Sequence, residues 1–131
     1  MTDTKQIEDL RNKFRNRVGK YIKQTFELVE NGLSFRFNRL SINKIGCIKS
    51  IKKSVENGFS IEEHFEAAEN IKDLFEHSTV VEETYKDKET KFETHYLCIS
   101  KFQDGVYAWM NVVTWGKSEG YIGMYLSREV E

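Results

Sequence analysis

Between residues 4 and 30 the apolar positions Ile7, Leu10, Phe14, Val18, Tyr21, Ile22, Phe26 and Val29 recur at steps of three and four. That period puts them on one stripe of a helix, and Asn31-Gly32 supplies a stop, so residues 1–32 are expected to form one long amphipathic N-terminal helix. Leu33 to Phe37 alternates with period two, the mark of a short strand or extended connector. Ser41 then stands as an N-cap for a second helix over 42–56, whose stripe is Ile42, Ile45, Ile48, Ile51 and Val55 and whose end is Asn57-Gly58. Ser60-Ile61-Glu62-Glu63 has the form of a capping box and opens a third helix carrying Phe65, Ala68, Ile71, Leu74 and Phe75.

After Ser78 the period changes to two. Runs rich in β-branched and aromatic residues span 79–86, 92–102, 106–115 and 121–130, divided by Asp87-Lys88, Asp104-Gly105 and the stretch from Gly116 to Gly120. Connections this short join antiparallel neighbours. The expected fold class is therefore α+β, three N-terminal helices followed by a four-stranded antiparallel β-meander. Parity assigns Leu97, Ile99, Val106, Ala108, Met110, Val112, Ile122, Met124 and Leu126 to a face covered by the helices. The opposite parity collects Thr94, Tyr96, Cys98, Tyr107, Trp109, Asn111, Trp115, Tyr121, Gly123, Tyr125 and Ser127. Aromatic rings with a polar edge bind bases, peptides or partner proteins, so Tyr96, Tyr107, Trp109, Asn111, Trp115 and Tyr125 are candidate binding residues.

Composition narrows the class. The 131 residues suit a single domain, 1–131, with one core, and 39% hydrophobic content with 13% aromatics excludes a disordered tail. No apolar run approaches the roughly 20 residues of a bilayer span, and the first ten residues lack an apolar signal region, so a cytoplasmic protein without membrane partners is expected. Cys47 and Cys98 lie outside any CxxC or CxxH spacing and read as reduced, mostly buried thiols. Neither a cofactor nor a metal site is indicated.

Charge divides along the chain: residues 1–60 hold 13 basic and 6 acidic side chains, residues 61–131 hold 7 and 15. A nucleic-acid surface would have to lie on the basic part. The densest cluster outside the first helix is Lys44, Lys49, Lys52 and Lys53 on the polar face of the second. His64 and His77 are thirteen apart, not the spacing of a helical metal pair, and read as exposed. His95, in a strand beside Thr94 and Tyr96, has the chemistry of a general acid or base.

The run Ile48-Lys49-Ser50-Ile51-Lys52-Lys53-Ser54-Val55-Glu56-Asn57-Gly58, then Asn70 to His77, then four strands, resembles a domain associated with large polyvalent proteins of phages and conjugative elements. That resemblance covers roughly 33–131. It implies a helix-helix-four-strand core of the barnase, EndoU, colicin and RelE nuclease-like fold. It also implies an RNA-cleaving site, with Lys52 or Lys53 stabilising charge on a phosphorane and His95 moving a proton. Asn57 stands where members of the family often carry a histidine before the glycine, and asparagine cannot shuttle protons.

Two activities of different classes follow. One is a non-catalytic phage or mobile-element protein that grips a macromolecular partner through the aromatic face, for example an inhibitor of a host defence protein. The other is a small metal-independent endoribonuclease, toxin-like, that cleaves RNA with Lys52, Lys53 and His95. The partner is accordingly a host protein or RNA, and the length of the first stripe also admits a homodimer through the N-terminal helix.

Overall fold

A computed structural model describes residues 4–87 and 92–128. The chain runs α1 (Thr4–Val18), a 3-10 turn (Gly19–Tyr21), β1 (Thr25–Glu27), β2 (Ser34–Arg36), α2 (Arg39–Ile45), α3 (Ile48–Glu56), α4 (Ile61–Ala68), α5 (Ile71–Glu76), β3 (Thr79–Asp87), β4 (Phe92–Gln103), β5 (Val106–Trp115) and β6 (Glu119–Ser127). The α+β class and the antiparallel meander β3-β4-β5-β6 are as expected. The expected turn after Asp87 and the last strand residues near Val130 lie outside the described residues. No helix among the described residues is long and apolar enough to cross a membrane.

The helical part differs from expectation. The helix expected over 1–32 ends at Val18, and residues 25–36 form a second, two-stranded sheet in which Phe26 pairs with Phe35. Lys23, with φ 75°, turns the chain from the 3-10 turn into β1. Phe26 and Leu28 are buried while Thr25, Glu27 and Val29 are exposed, an alternation that a short window cannot distinguish from a helical stripe. The hairpin wins because its phenylalanines have ring partners: Phe26 stacks on Phe37 at 4.6 Å and lies edge-on to Phe35 at 5.7 Å, and Phe35 meets Phe75 at 5.3 Å. The stripe left on α1, Ile7, Phe14 and Val18, is buried within the chain, with Phe14 5.6 Å from Phe65 of α4. The long stripe that admitted a homodimer is thus absent.

The second helix is two. Asn38, not Ser41, caps α2 by accepting from the Ser41 amide at 3.1 Å, and Gly46 ends it. The third expected helix likewise divides into α4 and α5, though its capping box is present: Ser60 Oγ accepts from the Glu63 amide and the Glu63 carboxylate from the Ser60 amide.

Ser41 instead serves the sheet. In β6 the even-numbered residues turn their peptide groups away from β5, leaving an unpaired edge that side chains of the helical region close. Asn38 Nδ2 donates to Gly120 O at 2.9 Å and Asn57 Nδ2 to Leu126 O at 2.8 Å. The amides of Ile122 and Leu126 donate to Ser41 Oγ and Ser54 Oγ at 3.1 and 3.0 Å. These four bonds seat α2 and α3 beside β6 and fix which of their side chains reach over the sheet.

One strand has the opposite parity to that expected. Cys98 pairs with Met110 and is wholly buried, while Leu97 pairs with Asn111 and Ile99 with Trp109 on the outer face. Tyr96 accordingly shares the helix-side parity and packs against the core, which removes it from the aromatic face on which it was expected. A free thiol behaves as a small hydrophobe, and here it outcompetes the flanking aliphatics for the interior.

Candidate functional site

The helices cover the face carrying Ala108, Met110, Val112, Ile122, Met124 and Leu126, all at most 1% exposed. The other face presents Tyr107, Trp109, Asn111, Val113 and Trp115 from β5, and Tyr121, Gly123 and Tyr125 from β6, in the register Trp109 opposite Tyr125, Asn111 opposite Gly123 and Val113 opposite Tyr121. Tyr107, Trp115, Tyr121 and Tyr125 are half-buried and Asn111 is exposed. Trp109 is 7% exposed, so its ring contributes little free surface. Trp115 meets Tyr121 edge-on at 6.1 Å.

Where α2 and α3 flank β6 they turn lysines over this face. Lys44 Nζ lies 5.3 Å from the Tyr121 ring centre and Lys53 Nζ 5.0 Å from that of Tyr125, both within cation–π range. The two pairs belong to a groove of about 350 Å³ lined by Lys44, Cys47, Lys49, Ser50, Lys53, Asn111, Tyr121, Gly123 and Tyr125. Among the described residues no carboxylate lines it. Gly123 lies in the groove, and a Cβ added there would meet only Lys44 Cβ, at 4.0 Å, an ordinary contact. Burial raises the pKa of the Tyr125 phenol; burial and, secondarily, the Glu93 charge raise that of Tyr121. Both phenols therefore stay neutral donors at physiological pH.

Cys47 sits at the N-cap of α3, half-buried in the groove wall. Partial burial opposes its thiolate, but hydrogen bonding with the Ser50 hydroxyl and with the Ser50 and Lys49 backbone, together with the Lys44 charge, outweighs burial and lowers the pKa. Cys98 is the reverse case: burial pushes it up to about 11 against a weak opposing bond from Ser78.

Asn111 is shared with a second depression of about 370 Å³ lined by Glu82, Thr84, Lys86, His95, Tyr96, Leu97 and Asn111. His95 Nε2 lies 3.1 Å from the largely buried Glu93 carboxylate. The residues of the expected cleavage set are thus distributed. Lys53 lines the lysine groove, His95 the neighbouring depression, and Lys52 a separate apolar cleft with Ile7, Ile48, Ile51 and Val55.

His64, expected to be exposed, is wholly buried. Its Nδ1 lies 2.7 Å from Ser54 Oγ and its Nε2 2.9 Å from Ile45 O. Burial lowers its pKa, the Ile45 carbonyl opposing, so the ring is neutral. His77 is exposed beside Asp73. Among the described residues no group of His, Cys, Asp or Glu is arranged to hold a metal.

The pairing of Lys44 and Lys53 with Tyr121 and Tyr125 was missing from the sequence-based expectation. Its signal was there in part, as a lysine cluster at i, i+5 and i+9 and an alternating Tyr-x-Gly-x-Tyr strand. In comparison with known proteins the chain matches the family model described as large polyvalent protein-associated domain 3, over residues 5–113. It takes in α1, which the resemblance over 33–131 had left out, and stops before β6. No curated protein and no solved structure matches.

Proposed function

Since this chain belongs to the large polyvalent protein-associated domain 3 family, we propose that it is a non-catalytic binding module of a phage or mobile element that holds single-stranded nucleic acid along the outer sheet face. The observation that carries this reading is the groove in which two lysines overlie two tyrosines, with no carboxylate in the lining among the described residues. Lysines track phosphates and aromatic rings take bases, a combination that tolerates any sequence, and stacking contributes about 1–3 kcal/mol per base. Exposed Asn111 adds a donor and an acceptor at the middle of the face.

Binding is favoured over cleavage because Lys53 and His95 line different depressions that meet only at Asn111, while Lys52 lines a third cleft. General acid–base cleavage needs one of these lysines and His95 on the same phosphate. On this reading the helices-then-meander order is a nuclease-like scaffold kept for grip. Photocrosslinking a 4-thiouridine-containing strand and mapping the adduct by mass spectrometry tests it. The expected adducts are on Tyr121 and Tyr125 with the strand recovered intact; adducts confined to other faces overturn the interface, and specific scission overturns the non-catalytic assignment.

A further inference from the structure

On the other side of α2 lies a cleft of about 460 Å³ between the C-terminal part of α1 and the start of α2, lined by Arg15, Asn16, Gly19, Ile22, Arg39, Ile42 and Asn43. Arg39 and Asn43 are one helical turn apart on α2, and Arg15 and Asn16 face them from α1. Among the described residues no carboxylate contributes here either. Arg15 has a long bond, 3.5 Å, to Asn12 Oδ1, and Arg39 makes no hydrogen bond or ion pair among the described residues. Other arginines of α1 are compensated: Arg11 by Glu8 and Gly46 O, Arg17 by Glu69.

Arg15 and Arg39, both exposed, line one concavity from two helices, so an anion seated in it meets positive charge from both sides. Each offers a planar fork of donors suited to a phosphate. A phosphomonoester carries about −1.5 to −2 at neutral pH and balances both, whereas a phosphodiester or a carboxylate balances only one. The volume exceeds that of a bare phosphate and falls in the range of small-molecule sites, roughly 300–1,000 Å³. Ile22 and Ile42 offer apolar surface to the group bearing the phosphate, and the Asn16 and Asn43 amides can bond its polar edges.

We propose that this cleft is a phosphomonoester-binding site, for a nucleoside monophosphate or for the phosphorylated end of a strand. It stands apart from the lysine groove, shares no lining residue with it, and does not depend on the function assigned to that groove.

Calorimetric and amide-shift titrations with adenosine 5′-monophosphate, with adenosine, and with short oligonucleotides bearing a 5′-phosphate or a 5′-hydroxyl test it. The expected result is that the phosphorylated member of at least one pair binds about tenfold more tightly or better, with shifts at Gly19, Arg39 and Asn43. Binding should strengthen as pH rises through about 6, where the second phosphate proton leaves. Arg15→Gln and Arg39→Gln should each weaken that preference by about tenfold while melting as the parent does, and Lys101→Gln, near the β4–β5 turn and outside both clefts, should leave it unchanged. Preference only in the nucleotide pair assigns a free nucleotide, and only in the oligonucleotide pair a strand end. No phosphate preference in either pair, or one that survives both arginine substitutions, overturns the proposal.

Discussion

Ser54 Oγ lies 2.7 Å from His64 Nδ1 and at the same time accepts the Leu126 amide at 3.0 Å, so a single buried hydroxyl joins α3, α4 and the edge strand β6. The His64 ring carries the chain on by donating from Nε2 to Ile45 O. All three groups are fully satisfied only with Ser54 in place. Ser54→Ala strands an imidazole nitrogen and a backbone amide away from water, which costs about 1–3 kcal/mol for each unsatisfied group. Urea denaturation should show a loss of about 2–4 kcal/mol, and a loss below about 0.5 kcal/mol would contradict the relay.

The same histidine makes stability depend on pH. Burial lowers its folded pKa, so the unfolded chain binds the proton more readily. The stabilisation is complete above the unfolded value of about 6.5 and declines as pH falls through it toward the folded pKa, by at most about 1.4 kcal/mol per pH unit. Denaturation series between about pH 7.5 and 5 should show a smaller decline in His64→Gln than in the parent, since glutamine keeps a donor and an acceptor but does not titrate.

Two glycines of β6 should behave oppositely on substitution. A Cβ at Gly120 would lie 2.6 Å from Val113 O and 3.1 Å from Phe35 Cβ, an overlap with backbone that no rotamer relieves. Gly120→Ala should lower stability by about 2 kcal/mol or more, as overpacking does. At Gly123 the nearest atom is Lys44 Cβ at 4.0 Å, so Gly123→Ala should fold normally and be stable to within about 1 kcal/mol of the parent. Thermal melts of the pair decide it.

The two thiols should differ in reactivity. Cys47, at a helix N-cap among lysines, has a lowered pKa, whereas Cys98 is buried with its pKa raised to about 11. Thiolate is the reacting species. Brief iodoacetamide treatment of the native protein near neutral pH should alkylate Cys47 and spare Cys98, with peptide mapping as the readout. Equal labelling would contradict the assigned environments.

The meander was legible because alternation and short turns leave one topology: Gly105, at φ 73°, turns β4 into β5 as Asp104-Gly105 suggests. The Ser60–Glu63 capping box was legible for the same local reason. The β1–β2 hairpin was not, because Phe26 and Leu28 fit both periods and only ring contacts with distant Phe37 and Phe75 decide between them. The parity of β4 was misread because Cys98 ranks below Leu97 and Ile99 in apparent hydrophobicity yet fits the interior better. Of the site, the aromatic strands and the lysine cluster were each visible. Their meeting was not, since it depends on Asn38, Ser41, Ser54 and Asn57 bonding a strand some seventy to eighty residues away.

The central claim, that the groove over Tyr121 and Tyr125 holds single-stranded nucleic acid, is tested most directly by fluorescence anisotropy with a labelled single strand of about twelve nucleotides across a salt series. The parent should bind, and the Lys44→Gln/Lys49→Gln/Lys53→Gln protein should bind more weakly, with the slope of log K against log salt reduced by about 2, as loss of three phosphate contacts requires. Tyr125→Ala should weaken binding by about tenfold with the slope unchanged. A parent that does not bind, or a triple variant that binds with the parent's affinity and slope, would contradict the account.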